Sequence, residues 1–325
     1  MQIFRELIRC ATLAPSSHNT QCWKFQLGQN SITIQPDFSR KCPIVDPDDH
    51  HLYVSLGCAV ENLEIAAKAH GFETQVDATH PEQGIEVKLE VKDATKQTNP
   101  RSDPLFDAIG VRQCNRGVYN GEKLSSQDLG KLQEAGRGEG VQTLLLIEEK
   151  DKDTIKDFVT KANSAQMVDA TFRQELKSWV RFNDKEAKKT GDGLFGKCMG
   201  HPSAPRWFGG LIFDYGVNGK SENQKISESI KSSAGLAVIV SVKNDPVHWV
   251  EAGRAYERFA LTAASLGIHN AHLNQPVEVT TIRPEFTKAL NLPEEARPDL
   301  VLRFGRGGEA MPKSFRRPLE AVIQQ

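Results

Sequence analysis

A chain of 325 residues with 38% hydrophobic content can bury a substantial core, which excludes disordered and collagen-like classes and favours one large or two intimately joined α/β units. The 41 lysines and arginines nearly cancel the 42 aspartates and glutamates, so the net field recommends neither nucleic acid nor an anionic membrane as partner, and any anion site must be local. The longest uncharged apolar run, residues 235–242, is far below the roughly 20 residues of a membrane span, and Arg5, Glu6 and Arg9 stand where a signal peptide needs its apolar core, so the expected location is the cytoplasm.

The chain opens with helical spacing of apolar residues over 3–13, ended by Ala14-Pro15. Residues 23–27 and 31–34 alternate at period two around Gly28-Gln29-Asn30 and predict a hairpin. A helix is expected over 52–70, closed by Gly71, and a strand over 86–91. The polar, proline-bearing stretch 93–107 is the expected linker between two halves.

In the second half, 106–116 reads as a helix start and 125–135 as a helix, with a buried strand over 141–147. A long helix or helix pair is expected over 156–182, whereas 183–205, rich in Gly, Lys, Asp and Pro and without period, is a candidate mobile flap. The apolar run 234–242 predicts a central strand, 249–266 a helix ended by Gly267, and 300–304 a last strand before a basic tail.

Setting Gly57 against Gly253 aligns the two long helices without gaps. Five of fifteen positions are identical: Gly57/Gly253, Ala59/Ala255, Glu61/Glu257, Ala67/Ala263 and Gly71/Gly267. An offset of 196 residues is too long for a solenoid repeat and implies two homologous units packed as a pseudo-dimer. The six cysteines contain no C-x-x-C, which argues against a zinc knuckle or a thioredoxin-like pair. No metal is expected, because His269-x-x-His272 has no third ligand nearby. The literal G-x-G-x-x-G at 191–196 follows charged residues, not the buried strand a dinucleotide fingerprint needs, and is assigned to the flap.

The most specific signal is Ala14-Pro15-Ser16-Ser17-His18-Asn19-Thr20-Gln21-Cys22-Trp23-Lys24-Phe25. Its hydroxyls, amide and free backbone N–H groups can approach a flat polar heterocycle, although a capping turn would use the same residue types. The segment resembles the P-S-S-x-N-x-Q-P-W-x-F loop of FMN-dependent nitroreductases, with Cys22 in place of the proline. That resemblance assigns Pro15, Ser16, Ser17 and Asn19 to the isoalloxazine side of the cofactor.

Arg112-Gln113-Cys114-Asn115-Arg116 resembles the family's R-x-S-x-R phosphate clamp at a helix start, which would put both arginines on one helix face. Guanidinium forks match phosphate oxygens bidentately, so Arg112, Arg116 and Cys114, in the serine position, are expected at the ribityl phosphate. In the tail, Arg316 matches the family's terminal phosphate-binding arginine, and Asn274 or Gln275 would lie near flavin N5.

The resemblance implies an α+β fold of two nitroreductase-like sheet-and-helix repeats fused into one monomeric pseudo-dimer, of the divergent, lid-bearing branch. The expected division is 1–95, with the serine loop, and 96–325, with the clamp and the flap. The first half has no counterpart of the clamp, so one FMN per chain is expected. The implied activity carries electrons from NAD(P)H through flavin to a nitro compound, quinone or similar acceptor, with no catalytic side chain demanded. Two alternatives stay open: an FMN-sequestering protein whose flap blocks turnover, and a relic without cofactor.

Overall fold

The computed structural model describes residues 2–96, 100–216, 218–309 and 311–324. Helix α1 (Gln2–Thr12) leads through the serine loop to the hairpin β1 (Trp23–Leu27) and β2 (Ser31–Pro36), then α2 (His50–Ala69), β3 (Phe72–Asp77) and β4 (Ile85–Val91). The four strands form an antiparallel sheet in the order β1-β2-β4-β3. Gly71, at φ 79° just past α2, supplies the left-handed residue that turns the helix into β3.

After α3 (Pro104–Ile109) and α4 (Ser126–Ala135), β5 (Val141–Leu146) opens a second sheet. A long excursion follows: α5 (Glu149–Val168), α6 (Ala170–Trp179), β6 (Val180–Arg181), α7 (Asp184–Thr190), β7 (Leu194–Phe195), α8 (Arg206–Gly216) and α9 (Gly219–Lys231). The chain then returns as β8 (Gly235–Ser241), α10 (Pro246–Ser265), β9 (His269–His272), α11 (Gln275–Glu278), α12 (Arg283–Ala289), β10 (Arg297–Gly305) and α13 (Leu319–Val322). This sheet is also antiparallel throughout, in the order β5-β8-β10-β9. Both sheets therefore carry two strands, a long helix and two strands, with the fourth strand inserted beside the second.

Helix α2 packs against the first sheet and α10 against the second, and the two helices cross each other at their glycines. A Cβ on Gly57 would collide with the Val250 carbonyl oxygen, and one on Gly253 with the Val54 carbonyl oxygen. Each glycine meets the carbonyl three residues before the other, so the contact is reciprocal, as across a two-fold axis. The main core gathers α1, α2, α10 and the facing sides of both sheets; a second core, with Ile155, Val159, Leu236, Val238 and Val301, covers the far side of the second sheet. β8 and β10 are consequently buried on both faces.

Several expectations need correction. Residues 112–116 are not helical: Asp103 caps α3 by accepting from the Leu105 and Phe106 N–H groups, and the helix ends at Ile109. β3 was not anticipated, because F-E-T-Q-V-D has two apolar residues. β5 is an edge strand, part-exposed rather than buried. The flap is not aperiodic, since it contains α7 and β7, the latter paired with β6. The expected linker includes residues 97–99, which lie outside those described. Finally, Ile323 bridges to Phe25 and the Gln324 N–H donates to the Phe25 carbonyl at 2.8 Å, so the end of the chain lies on the first sheet. Among the described residues no helix is long and apolar enough to cross a membrane.

The helix crossing gives a direct prediction. Gly57→Ala or Gly253→Ala should each lower stability by about 2–3 kcal/mol, as overpacking against rigid backbone does. Gly130→Ala in α4, where nothing lies within 4 Å of the new Cβ, should raise it by up to about 1 kcal/mol. Urea unfolding of the three variants checks the assignment, and similar midpoints for all three would refute the close crossing.

Candidate functional site

The serine loop is closed by Ser16, whose Oγ accepts from the Gln21 N–H at 2.9 Å, and tied to α2 by the Ser17 N–H, which donates to Ser55 Oγ at 3.3 Å. His18, Asn19 and Gln21 have φ of 49°, 54° and 53°. Left-handed backbone in residues with a Cβ costs about 1 kcal/mol or more each and persists only where the surroundings over-determine it. The flap and the tail do so here. Asn19 Nδ2 donates to the Gly193 and Phe315 carbonyls at 3.1 and 3.2 Å, and the Gly193 N–H returns a bond to the Asn19 carbonyl at 3.2 Å. Gln21 donates from Nε2 to the Gly191 carbonyl and accepts at Oε1 from the Arg317 N–H, both at 2.8 Å.

The clamp residues meet the second half through a parallel bridge between Cys114 and Asn270 of β9. Arg112 is buried, its Nε 3.2 Å from Glu257 Oε1 and its Nη2 donating to the Leu13 carbonyl at 3.1 Å. Burial pushes the Glu257 carboxyl up to about 7 despite the facing Arg112 charge. Arg116 is exposed and has no hydrogen bond or ion pair among the described residues. Arg316 behaves differently from Arg116. Its guanidinium donates to the Thr12, Leu13 and Ala14 carbonyls at 2.8, 3.0 and 3.3 Å, satisfying the end of α1. Burial, then the neighbouring Arg112 charge, lowers its pKa to about 10.

Past β9, Asn274 is engaged on both sides: Oδ1 accepts from the Val301 N–H at 2.9 Å and Nδ2 faces His51 Nε2 at 3.3 Å. Gln275 begins α11 with its Oε1 buried and unpartnered. Arg112 Nη1, Gln113 Oε1 and His272 Nδ1 are likewise buried without a hydrogen bond among the described residues. Native interiors rarely leave such atoms unmatched, and here they lie on two segments, 112–113 and 272–275, that the Cys114–Asn270 bridge holds together.

Sequence reasoning missed a buried chain that Asn274 meets at His51. Ser241 Oγ donates to Asp299 Oδ2 at 2.6 Å, Asp299 Oδ1 meets His50 Nε2 at 2.8 Å, and His50 Nδ1 lies 3.5 Å from His51 Nδ1. His51 Nδ1 is also 3.4 Å from Asp46 Oδ1, and Asp46 accepts from the His51 and Leu52 N–H groups at 2.9 and 3.0 Å. Asp46, His50 and His51 are close enough together to surround a cation. However, Asn274 Nδ2 donates to His51 Nε2, which puts the imidazole proton on Nδ1 and makes that atom a donor to Asp46 rather than a ligand. The local text D-P-D-D-H-H was a signal for this cluster, but Asp299 lies 249 residues from His50 and nothing in the sequence joins them.

Burial pushes the Asp299 carboxyl up to about 7, even though it accepts from Ser241. Its folded pKa thus exceeds the unfolded value near 3.9, so its contribution to stability is full below about pH 4 and is lost as pH rises through about 7, by up to about 1.4 kcal/mol per pH unit. Asp299→Asn should therefore lose less stability than the parent chain between pH 4 and 7 in chemical unfolding. Identical slopes would assign the effect to another group.

No family model matches the chain. Two curated proteins of Mycobacterium tuberculosis, from strains CDC 1551 / Oshkosh and ATCC 25618 / H37Rv, are provisionally named NAD(P)H nitroreductases. Each is 24% identical over 328 residues, covering 98% of this chain and 90% of its own. Among solved structures, a nitroreductase-like family protein from Bacillus cereus covers 69% of this chain and 96% of its own at 13% identity and TM-score 0.43. A nitroreductase with bound FMN from Desulfitobacterium hafniense covers 69% and 98% at 15% identity and TM-score 0.41. The similarity to the mycobacterial proteins, provisionally named as nitroreductases, thus runs over nearly the whole length of the chain.

Proposed function

We propose that the chain holds one FMN between the serine loop and the 112–116 and 272–275 segments and acts as an NAD(P)H oxidoreductase on a nitro compound, quinone or similar acceptor. The observation that carries this reading is a set of polar groups without partners among the described residues: the buried Arg112 Nη1, His272 Nδ1 and Gln275 Oε1, and beside them the exposed Arg116. Arg116 and Arg112 fit the phosphate, with Glu257 fixing the Arg112 guanidinium. The Ser17 hydroxyl, whose one hydrogen bond among the described residues is to His18 Nδ1 at 3.4 Å, and the buried Gln275 Oε1 suit the polar edge of the ring. Asn19, Asn274 and Arg316 act here as supports, since their polar groups already hold the loop, β10 and α1.

When bound, FMN supplies the hydride and electron chemistry, so this chain's residues bind, orient and exclude water. The same reading divides the chain into 1–95 and 96–325 as two halves of one pseudo-dimer, supported by the shared strand order and the reciprocal glycine contact.

A second reading, FMN sequestration, is favoured by the way the flap is fastened. Asp192 is paired with both Arg40 and Arg181, the latter at 2.7 Å, and both arginines lie near the Trp179 ring. These pairs hold Gly191 and Gly193 down on the serine loop.

Two experiments test the site and separate the readings. Arg116→Ala should weaken FMN binding by about 10- to 100-fold, the worth of a charge-assisted phosphate contact, while Lys188→Ala on exposed α7 should not; flavin absorbance on titration measures both, and equal losses refute the site. In stopped-flow mixing with NADH or NADPH, rapid bleaching of the flavin in the parent chain supports turnover. Bleaching that emerges only in Asp192→Asn supports a latched, sequestering state, and a colourless chain that takes up no FMN defeats both.

A further inference from the structure

Helix α8 (Arg206–Gly216) presents its apolar side to solvent. Amphipathic helices of globular chains bury that stripe, but here Trp207 and Tyr215 are 70% and 86% exposed, and Phe208, Leu211 and Ile212 47%, 48% and 48%. At 3.6 residues per turn these five side chains share about 140° of arc. Gly209, Gly210 and Phe213 take the opposite side and are buried, with Gly209 seated on the Phe182 ring and Gly210 on the Lys177 stem. The helix is therefore packed down on its other face, and the apolar ridge is what it leaves outside. At its C-terminal end the ridge runs into a groove of about 700 Å³ that Tyr215 lines together with Met167, Val168, Arg173 and Lys220. Three aromatic and two aliphatic side chains offer on the order of 500 Å² of apolar surface, and a contiguous patch of that size marks a surface that meets something apolar.

The near-zero net charge conceals a division that bears on what covers this ridge. The segment 170–231, from α6 through α9, has eleven lysines and arginines against seven acids, whereas the remainder has thirty against thirty-five. Lys185, Lys188 and Lys189 on α7 and Lys220 on α9 are exposed and have no ion pair among the described residues. α7 is tied beside the start of α8: the Ala204 N–H donates to the Phe182 carbonyl at 2.9 Å, Asn183 Nδ2 donates to the Ala204 carbonyl at 3.2 Å, and Arg206 pairs with Glu186. Lys220 stands at the groove by the other end. A second copy seated on the ridge across a two-fold axis would oppose this positive segment to itself. A surface that is both apolar and anionic matches the ridge and its surroundings together.

We propose that α8 docks this chain on the surface of an anionic lipid bilayer. The helix lies in the plane of the interface, with Leu211 and Ile212 in the acyl boundary. Trp207 and Tyr215, one near each end, sit at headgroup depth, where amphipathic rings are favoured. Side chains as exposed as these two stand proud of the protein surface, which suits insertion by about 5–10 Å among the lipids, while the lysines of α7 and α9 meet lipid phosphates. The eleven residues of α8 are too few to span a bilayer, and no helix among the described residues does so; the chain lies on the membrane and does not cross it. Docking requires neither flavin nor nicotinamide and stands if the FMN reading fails.

Flotation of the purified full chain with vesicles tests the docking. The chain should float with vesicles of phosphatidylcholine and phosphatidylglycerol in equal parts, and about tenfold or more weakly with phosphatidylcholine alone, the difference shrinking in high salt. Tryptophan emission should shift to the blue on binding, because Trp207 alone of the four tryptophans is exposed. Leu211→Glu should weaken binding at least about tenfold, and Lys220→Glu should weaken it severalfold. Val242→Glu, at a similarly exposed valine outside the segment, should leave it unchanged. A parent chain that stays unbound, or floats equally with both kinds of vesicle, overturns the proposal, as does binding that survives Leu211→Glu. A chain that ignores vesicles and instead forms a dimer broken by Leu211→Glu in analytical ultracentrifugation assigns the ridge to a second copy and overturns it too. The parent chain's own flotation and emission shift decide the matter even where a variant fails to fold.

Discussion

The reciprocal seating of a carbonyl against a glycine, Val250 on Gly57 and Val54 on Gly253, is the constraint on which the rest of the structure depends. It lets α2 and α10 approach to backbone contact, and each helix anchors one of the segments assigned to the proposed site. The serine loop is tied to Ser55 on α2, and Arg112 is paired with Glu257 on α10. The register of the two helices therefore sets the separation of these two segments. A side chain at either glycine would shift both at once, because interiors packed to this density transmit displacement rather than absorb it.

The same crossing explains why the two halves differ. Glu61 and Glu257 occupy equivalent places in the two helices. Glu61 is met by Arg254 and Arg258 from α10, at 3.2 and 2.7 Å, within a network that includes Glu64 and Glu251. Glu257 instead faces Arg112, an arginine from outside the helix pair. A buried ion pair adds little net stability, because desolvation offsets the attraction, but it fixes orientation, and removing one member is costly. On one side of the axis the glutamate staples helix to helix. On the other it orients Arg112, while Arg116 four residues on is exposed and unpaired among the described residues.

The elements that proved legible in the sequence are those whose pattern is local and strong. The 23–27/31–36 hairpin alternates around Gly28, β8 is continuously apolar, and both long helices end at a glycine with positive φ. The equivalence of 57 and 253 was visible as identity and returned as contact. What failed was context. Arginines four apart suggest a helix face, yet the short α3 stops before Arg112 and the bridge to Asn270 takes over. A signal for α7 was present and passed over: Asn183 caps it by accepting from the Glu186 N–H, and Glu186 returns a bond to the Phe182 N–H, close to a capping box. The engagement of Arg316 with the end of α1 joins residues some 300 apart and has no local sign.

The serine loop ties these observations together, because its strained backbone and its covers are one device. Three left-handed residues, at about 1 kcal/mol or more each, oppose six hydrogen bonds from the flap and tail, each worth about 1 kcal/mol net: Asn19 to Gly193 and Phe315, Gly193 to Asn19, Gln21 to Gly191, Arg317 to Gln21 and Arg316 to Asn19. The hydrogen bonds exceed the least cost of the strain, and that margin holds the loop under its covers. The buried pairs of Asp192 with Arg40 and Arg181 act on that margin directly, since they fix the turn that presents Gly191 and Gly193 to the loop. Closure thus depends on a few charges remote in sequence from the cleft they cover. The loop's left-handed backbone and the flap and tail that cover it are therefore parts of one arrangement, each held by the other.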